Sequence, residues 1–79
     1  MKIKVRLFAS CREITGKNEV EIQVKKGETV SGILTVIRQI YPRLSLSDIM
    51  VAVNQEFATP GYVLKDGDEV ALLPPVSGG

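Results

Sequence analysis

The sequence contains no histidine, no tryptophan and a single cysteine, Cys11. Without histidine the chain lacks the commonest general base and the commonest zinc ligand. One cysteine and no histidine cannot build a structural zinc site or a Cys–His dyad, so stand-alone catalysis is not expected and no metal is assigned. A lone thiol cannot staple the fold, which points to a reducing compartment, the cytoplasm, and to a domain held by packing alone. No apolar run approaches the roughly 20 residues that span a bilayer. The opening Met1-Lys2-Ile3-Lys4-Val5-Arg6 alternates charge with bulk and has no signal-peptide core, so no membrane partner is expected. Basic residues are not clustered either: ten Lys and Arg are scattered among nine Asp and Glu for a net charge of +1. With no basic block to follow a phosphate backbone, nucleic acid is not an expected partner.

What is present fits one small globular domain. The 79 residues are 44% apolar and 24% charged, and a chain of this size buries only about 60% of its unfolded surface. Residues 2–8 alternate strictly, with Ile3, Val5 and Leu7 on one side and Lys2, Lys4 and Arg6 on the other, the period of a half-buried strand. Residues 19–25 repeat the pattern, with Val20, Ile22 and Val24 inward. Between them Ser10-Cys11-Arg12-Glu13 has capping-box spacing, and Gly16 is placed to end a short helical turn in a left-handed conformation. Thr29 reads as the N-cap of one main helix, about Val30–Ile40, whose apolar stripe runs through Val30, Ile33, Leu34, Ile37 and Ile40 or Tyr41 and which Pro42 stops. Gly32 is a weak point in it, costing about 1 kcal/mol relative to Ala.

After a polar connection (43–48), Met50–Val53 reads as a strand continuing towards Phe57 past a turn near Asn54-Gln55. A short extended piece, Tyr62–Leu64, lies between turns at Pro60-Gly61 and Asp66-Gly67, and Glu69–Leu73 is the last strand, stopped by Pro74-Pro75. The order predicts an α+β fold: a mixed sheet of four to five strands with one main helix across one face. Residues 1–75 form this domain, and residues 76–79 a flexible diglycine tail.

Two features contribute nothing evident to folding. Gly78 and Gly79 lack a Cβ and cannot help a core. The four residues after Pro75 reach roughly 13–14 Å when extended, enough to thread a side-chain-free carboxylate into a narrow slot of another protein; ordinary terminal fraying is the plainer account of such an end. The second feature is apolar bulk of the wrong parity. Phe8 falls on the solvent side with Lys4 and Arg6, and Leu73 falls opposite Val70 and Leu72. If the first and last strands are neighbours, Phe8 and Leu73, with Leu64, form an exposed patch at the base of the tail, the kind of surface that marks an interaction site; strand-end twist that tucks them inward is the alternative.

Three stretches then resemble a known family. They are Val5-Arg6-Leu7-Phe8-Ala9 with Arg12-Glu13 and Gly16, the central Val51-Ala52-Val53-Asn54, and the closing run from Leu64 to Gly79. Together they resemble the small subunit of molybdopterin synthase. Asp66-Gly67-Asp68-Glu69-Val70 followed by Pro74-Pro75-Val76-Ser77-Gly78-Gly79 is the most specific part. The resemblance implies a ubiquitin-like β-grasp fold and a sulfur carrier with no bound cofactor. It implies that Gly79 is adenylated by a ubiquitin-activating-like adenylyltransferase using ATP, then thiocarboxylated with sulfur from a sulfur-donating enzyme. Val76, Ser77 and Gly78 insert with it into the large synthase subunit of a heterotetramer. There sulfur passes to cyclic pyranopterin monophosphate, on catalytic groups that belong to the large subunit. Phe8, Leu64, Leu73, Pro74 and Pro75 are the implied partner interface.

The remaining candidates have plainer explanations. Cys11 reads as a small packed residue in preference to a sulfur relay, Arg12 and Glu13 as a solvated or capping pair, and Asp66, Asp68 and Glu69 as turn residues in preference to a metal site. Other readings of the whole chain are a sulfur carrier for thiamine synthesis or tRNA thiolation, which the Pro74-Pro75-Val76-Ser77 run disfavours, and a ubiquitin-like modifier or binding module.

Overall fold

Alternation in the first seven residues produces strand β1, Lys2–Leu7, with Ile3, Val5 and Leu7 buried and Lys2, Lys4 and Arg6 exposed. The structure, a computed structural model, describes residues 1–75. After β1 come α1 (Ala9–Thr15), β2 (Glu19–Gln23), α2 (Val30–Ile40), β3 (Met50–Val53), β4 (Glu56–Phe57) and β5 (Glu69–Leu73). The strands form one five-stranded sheet in the order β2-β1-β5-β3-β4. Only the β1–β5 pair is parallel; the other three are antiparallel. This is the expected α+β arrangement, a mixed sheet with the main helix across one face.

α2 follows the predicted residues. Thr29 is extended and its side-chain oxygen accepts the Gly32 N–H at 3.1 Å, a cap worth about 1 kcal/mol. Val30, Ile33 and Ile37 are buried against the sheet, and the Tyr41 N–H closes the last turn on the Ile37 carbonyl at 2.8 Å. Of the two candidates at the end of the stripe, Tyr41 is the one that packs against the core, while Ile40 is 52% exposed. At Gly32 an added Cβ would meet only the end of the Glu28 side chain, which accepts the Thr29 N–H at 3.1 Å and would have to swing aside.

Three expectations are corrected. α1 starts at Ala9, and its N-cap is Phe8, extended and without a side-chain cap bond; Ser10 lies inside the helix, so no capping box forms. Its predicted end is right: Gly16 sits at φ 74° and donates its N–H to the Arg12 carbonyl at 2.8 Å. The piece Tyr62–Leu64 does not join the sheet. It bridges the entry to α2, with the Val30 N–H on the Tyr62 carbonyl (3.0 Å) and the Leu64 N–H on the Glu28 carbonyl (2.8 Å). The connection 43–48 is not merely polar, because Leu44 is buried and Leu46 packs on the core.

The turns that close the sheet are held by side chains. Asp68, almost fully buried, accepts the Asn54 side-chain N–H (3.0 Å) and the Lys65 backbone N–H (2.8 Å) on its two oxygens. Asn54 in turn accepts the Glu69 N–H at 3.0 Å, tying the β3–β4 hairpin to the start of β5. That hairpin has a two-residue loop, since Val53 pairs with Glu56. Both loop residues have positive φ, Asn54 at 50° and Gln55 at 72°, the requirement of a type I′ turn, for which Asn-Gly is the preferred pair.

Two stability changes are expected, both measurable by urea denaturation. Gln55→Gly relieves the left-handed strain and stabilises by about 0.5–1 kcal/mol. Asp68→Ala leaves two donors without their acceptor and destabilises by about 2–3 kcal/mol.

Candidate functional site

The face of the sheet away from α2 carries the apolar surface. Ala52 and Ala71, paired across β3 and β5, form a floor of small side chains. Around it stand Arg6, Phe8, Gln55, Phe57, Glu69 and Leu73, enclosing a shallow open depression of about 260 Å³. Phe57 is 70% exposed and Phe8 36%, and Leu73 is half-buried beside the exposed Met50 that it pairs with. One ion pair and one cation–π contact mark a rim: the Arg6 guanidinium lies 3.7 Å from the Glu69 carboxylate and 5.6 Å from the centre of the Phe8 ring. Such a surface is apolar at its centre and charged at one border, which suits a protein partner better than a small molecule.

Phe8 and Leu73 are brought together as strand parity implied. β1 and β5 are neighbours in register, with Leu7 opposite Leu72, so Phe8, just past β1, and Leu73, the last residue of β5, sit at the same end of the sheet. Pro74 is half-buried and Pro75 exposed, directly after β5. Val76, Ser77, Gly78 and Gly79 lie outside the described residues. Leu64 is not part of the patch. It is 2% exposed, because the bridging piece folds over the start of α2 and turns Leu64 into the core, leaving Val63 outside.

Phe57, Met50 and the alanine floor were not among the expected site residues. The signal was available in the two-residue loop: with Val53 opposite Glu56, Phe57 falls opposite Ala52, whose parity is the reverse of buried Val51 and Val53.

The other candidates resolve into structural roles. Cys11 is buried at 1% exposure, and burial pushes its thiol pKa up, away from the thiolate a sulfur relay needs. Arg12 and Glu13 are exposed on α1. Asp66 accepts the Lys2 N–H at 2.8 Å, and Asp68 is engaged as described, so these carboxylates serve the turn. Among the described residues no group of three or more acidic or thiol side chains is placed to hold a metal ion, and no helix is long and apolar enough to cross a membrane.

Comparison with known proteins agrees with this geometry. The ThiS family matches residues 5–79. The molybdopterin synthase sulfur carrier subunit of Chlamydomonas reinhardtii is 41% identical over 83 residues, covering 100% of both chains. Two crystal structures of SAMP1, the small archaeal modifier protein 1 of Haloferax volcanii, superpose closely. One has a TM-score of 0.87 at 32% identity over 100% of both chains; the other has 0.84 at 30%, covering 95% of this chain and 98% of that one. Subunit 1 in the Helicobacter pylori complex of subunits 1 and 2 of molybdopterin-converting factor gives 0.72 at 26%, over 100% of both chains. The fold is thus the ubiquitin-like β-grasp of sulfur carriers, and the chain belongs to the ThiS family.

Proposed function

We propose that this protein is the small, sulfur-carrying subunit of a molybdopterin synthase, with the sulfur on the carboxyl carbon of Gly79. The observation that carries the reading is the joining of two features on one strand: β5 supplies Ala71 and Leu73 to the open apolar face and runs directly into Pro74-Pro75-Val76-Ser77-Gly78-Gly79. A partner seated on that face receives the chain end next to its own surface. The shared name of the relatives supports the same assignment.

The chemistry follows from what the end of the chain offers. A carboxylate is a poor electrophile. Attack of the Gly79 carboxylate on ATP forms an acyl adenylate and releases pyrophosphate. The acyl carbon is then open to hydrosulfide released by a sulfur-donating enzyme, which displaces AMP and loses its proton. The resulting thiocarboxylate is anionic and soft at neutral pH, so its sulfur attacks an electrophilic carbon as a thiolate would. Water then cleaves the acyl–sulfur bond, leaving the sulfur on the substrate and regenerating the Gly79 carboxylate, and two such deliveries to cyclic pyranopterin monophosphate build a dithiolene. Val76, Ser77 and Gly78 have small or no side chains, which suits a narrow channel. A chain without histidine leaves acid–base work to the large subunit. Phe8, Phe57 and Leu73 provide the seat, and burying an exposed side chain the size of Phe57 contributes about 1.5–3 kcal/mol.

A second reading, a protein modifier conjugated through Gly79 to lysines, draws support from the similarity to the Haloferax modifier protein. Intact-mass analysis of protein from its native host separates the two. A sulfur-for-oxygen shift confined to Gly79 is the expected result, whereas lysine conjugates without thiocarboxylate favour the modifier.

Deleting Gly79 is expected to abolish sulfur transfer while the melting temperature stays nearly unchanged; full synthase activity in that variant would overturn the proposal. Leu73→Asp places an unpaired charge in the interface and is expected to weaken large-subunit binding by about tenfold or more in calorimetric titration. Cys11→Ala is expected to retain thiocarboxylate loading, and alkylation of Cys11 in the parent protein should await unfolding.

A further inference from the structure

We infer that this protein pairs with a second copy of itself along β2, merging two sheets into one continuous ten-stranded sheet. β2 is an outer strand of the sheet. Its ladder with β1 sets Ile3 opposite Ile22 and Val5 opposite Val20. The bonds at either end, Leu7 N–H to the Asn18 carbonyl (2.8 Å) and Val24 N–H to the Met1 carbonyl (2.9 Å), define which residues turn inward. Asn18, Val20, Ile22 and Val24 direct their backbone groups at β1. Glu19, Glu21 and Gln23 therefore direct theirs away from the sheet, as alternation in an antiparallel ladder requires. A row of outward N–H and C=O groups is a template for another strand. The opposite edge, β4, is two residues long and offers no comparable row.

Charge selects the occupant and its register. An antiparallel second copy, placed on a two-fold axis through Ile22, sets Glu21 opposite Gln23 and Glu19 opposite Lys25 of the second copy, each contact occurring twice. Sliding by two residues puts Glu21 opposite its own equivalent. Sliding by four puts Glu19 opposite Glu21, twice. Opposite charges across a strand pair stabilise it and like charges destabilise it. Sliding by two the other way keeps one opposite-charge contact, Glu21 with Lys25, but sets Glu19 opposite Gly27 and pairs only Gln23 within β2. The first register is therefore the one that combines charge complementarity with the longer ladder. On the helix side, half-buried Val20 meets Val24 of the second copy, and Ile22 meets its equivalent. A groove lined by Val20, Ile22, Ile40 and Tyr41, with Lys17, Glu19 and Glu21 at its polar margin, runs along the same edge. Its exposed Ile40 gains apolar cover from the second copy.

The edge lies on the far side of β1 from β5, β3 and β4, so pairing there leaves the depression around Phe57 and Leu73 open. The inference does not rest on the proposed sulfur chemistry.

Sedimentation equilibrium of the full chain from about 10 µM to about 1 mM tests it. The weight-average mass should climb from 8.6 kDa towards twice that value. Lys25→Glu and Glu19→Lys should each hold the protein at monomer mass, and the double variant Glu19→Lys/Lys25→Glu should restore the dimer. Both side chains are exposed, and circular dichroism checks that each variant folds. In the parent protein, amide exchange at Glu21 and Gln23 should slow as concentration rises. A constant monomer mass, a dimer that survives Lys25→Glu, or a double variant that stays monomeric would overturn the inference.

Discussion

The parallel pairing of the first and last strands is the constraint on which the arrangement depends. Val5 lies opposite Val70 and Leu7 opposite Leu72, all fully or almost fully buried. Closing a loop of more than sixty residues to make that pair is entropically unfavourable, although the cost grows only slowly with length. The turn at Asp66-Gly67 ties the two strands together at their start: the Lys2 N–H reaches the Asp66 carboxylate, the Gly67 N–H the Lys2 carbonyl, and the Lys4 N–H the Asp68 carbonyl. Because the pairing is parallel, β1 and β5 end at the same end of the sheet. Phe8 and Leu73 therefore share an end of the sheet, and Pro74 and Pro75 leave from that same place.

Much of this was legible because it rests on local patterns. Period-two alternation identified β1 and β2, and the threonine cap, 3.6-residue stripe and Pro42 bounded α2. The misses occur where tertiary contact overrides local rules. Ser10-x-x-Glu13 has capping-box spacing, yet β1 runs so directly into α1 that Phe8 takes the cap position and Ser10 is already helical. Tyr62–Leu64 has strand composition, but its partner is the chain entering α2 and not the sheet, a pairing no local pattern encodes. Leu44, set between Arg43 and Ser45, becomes core because the chain after α2 doubles back, its N–H bonding the Tyr41 carbonyl.

The site was half legible for the same reason. Parity places a residue on a face reliably inside a strand, so Phe8 and Leu73 were found at the ends of two strands whose adjacency could be inferred. Leu64 lay on no sheet strand, so its parity carried no information about exposure, and it is core. Phe57 required the register across the Asn54-Gln55 loop, and a shift of one residue there would send it to the opposite face. The diglycine end was readable only as chemistry, since glycine has no side chain whose pattern could carry a signal.

The open face also shows how a small domain displays apolar surface without becoming generally adhesive. It is divided along its width. Over β2 and β1 it carries Lys2, Lys4 and Arg6 beside Glu19, Glu21 and Gln23, with Lys4 and Glu19 3.6 Å apart. Over β5, β3 and β4 it carries Ala71, Leu73, Ala52, Met50 and Phe57. The Arg6–Glu69 pair stands on the boundary. A partner that covers the apolar half must meet the charged half at one border only, and this fixes its orientation about the sheet normal. Rotating the partner by half a turn would desolvate those charges against apolar surface, which is costly. An asymmetric face of this kind suits the proposed carrier role, in which the chain end enters its partner from one direction only.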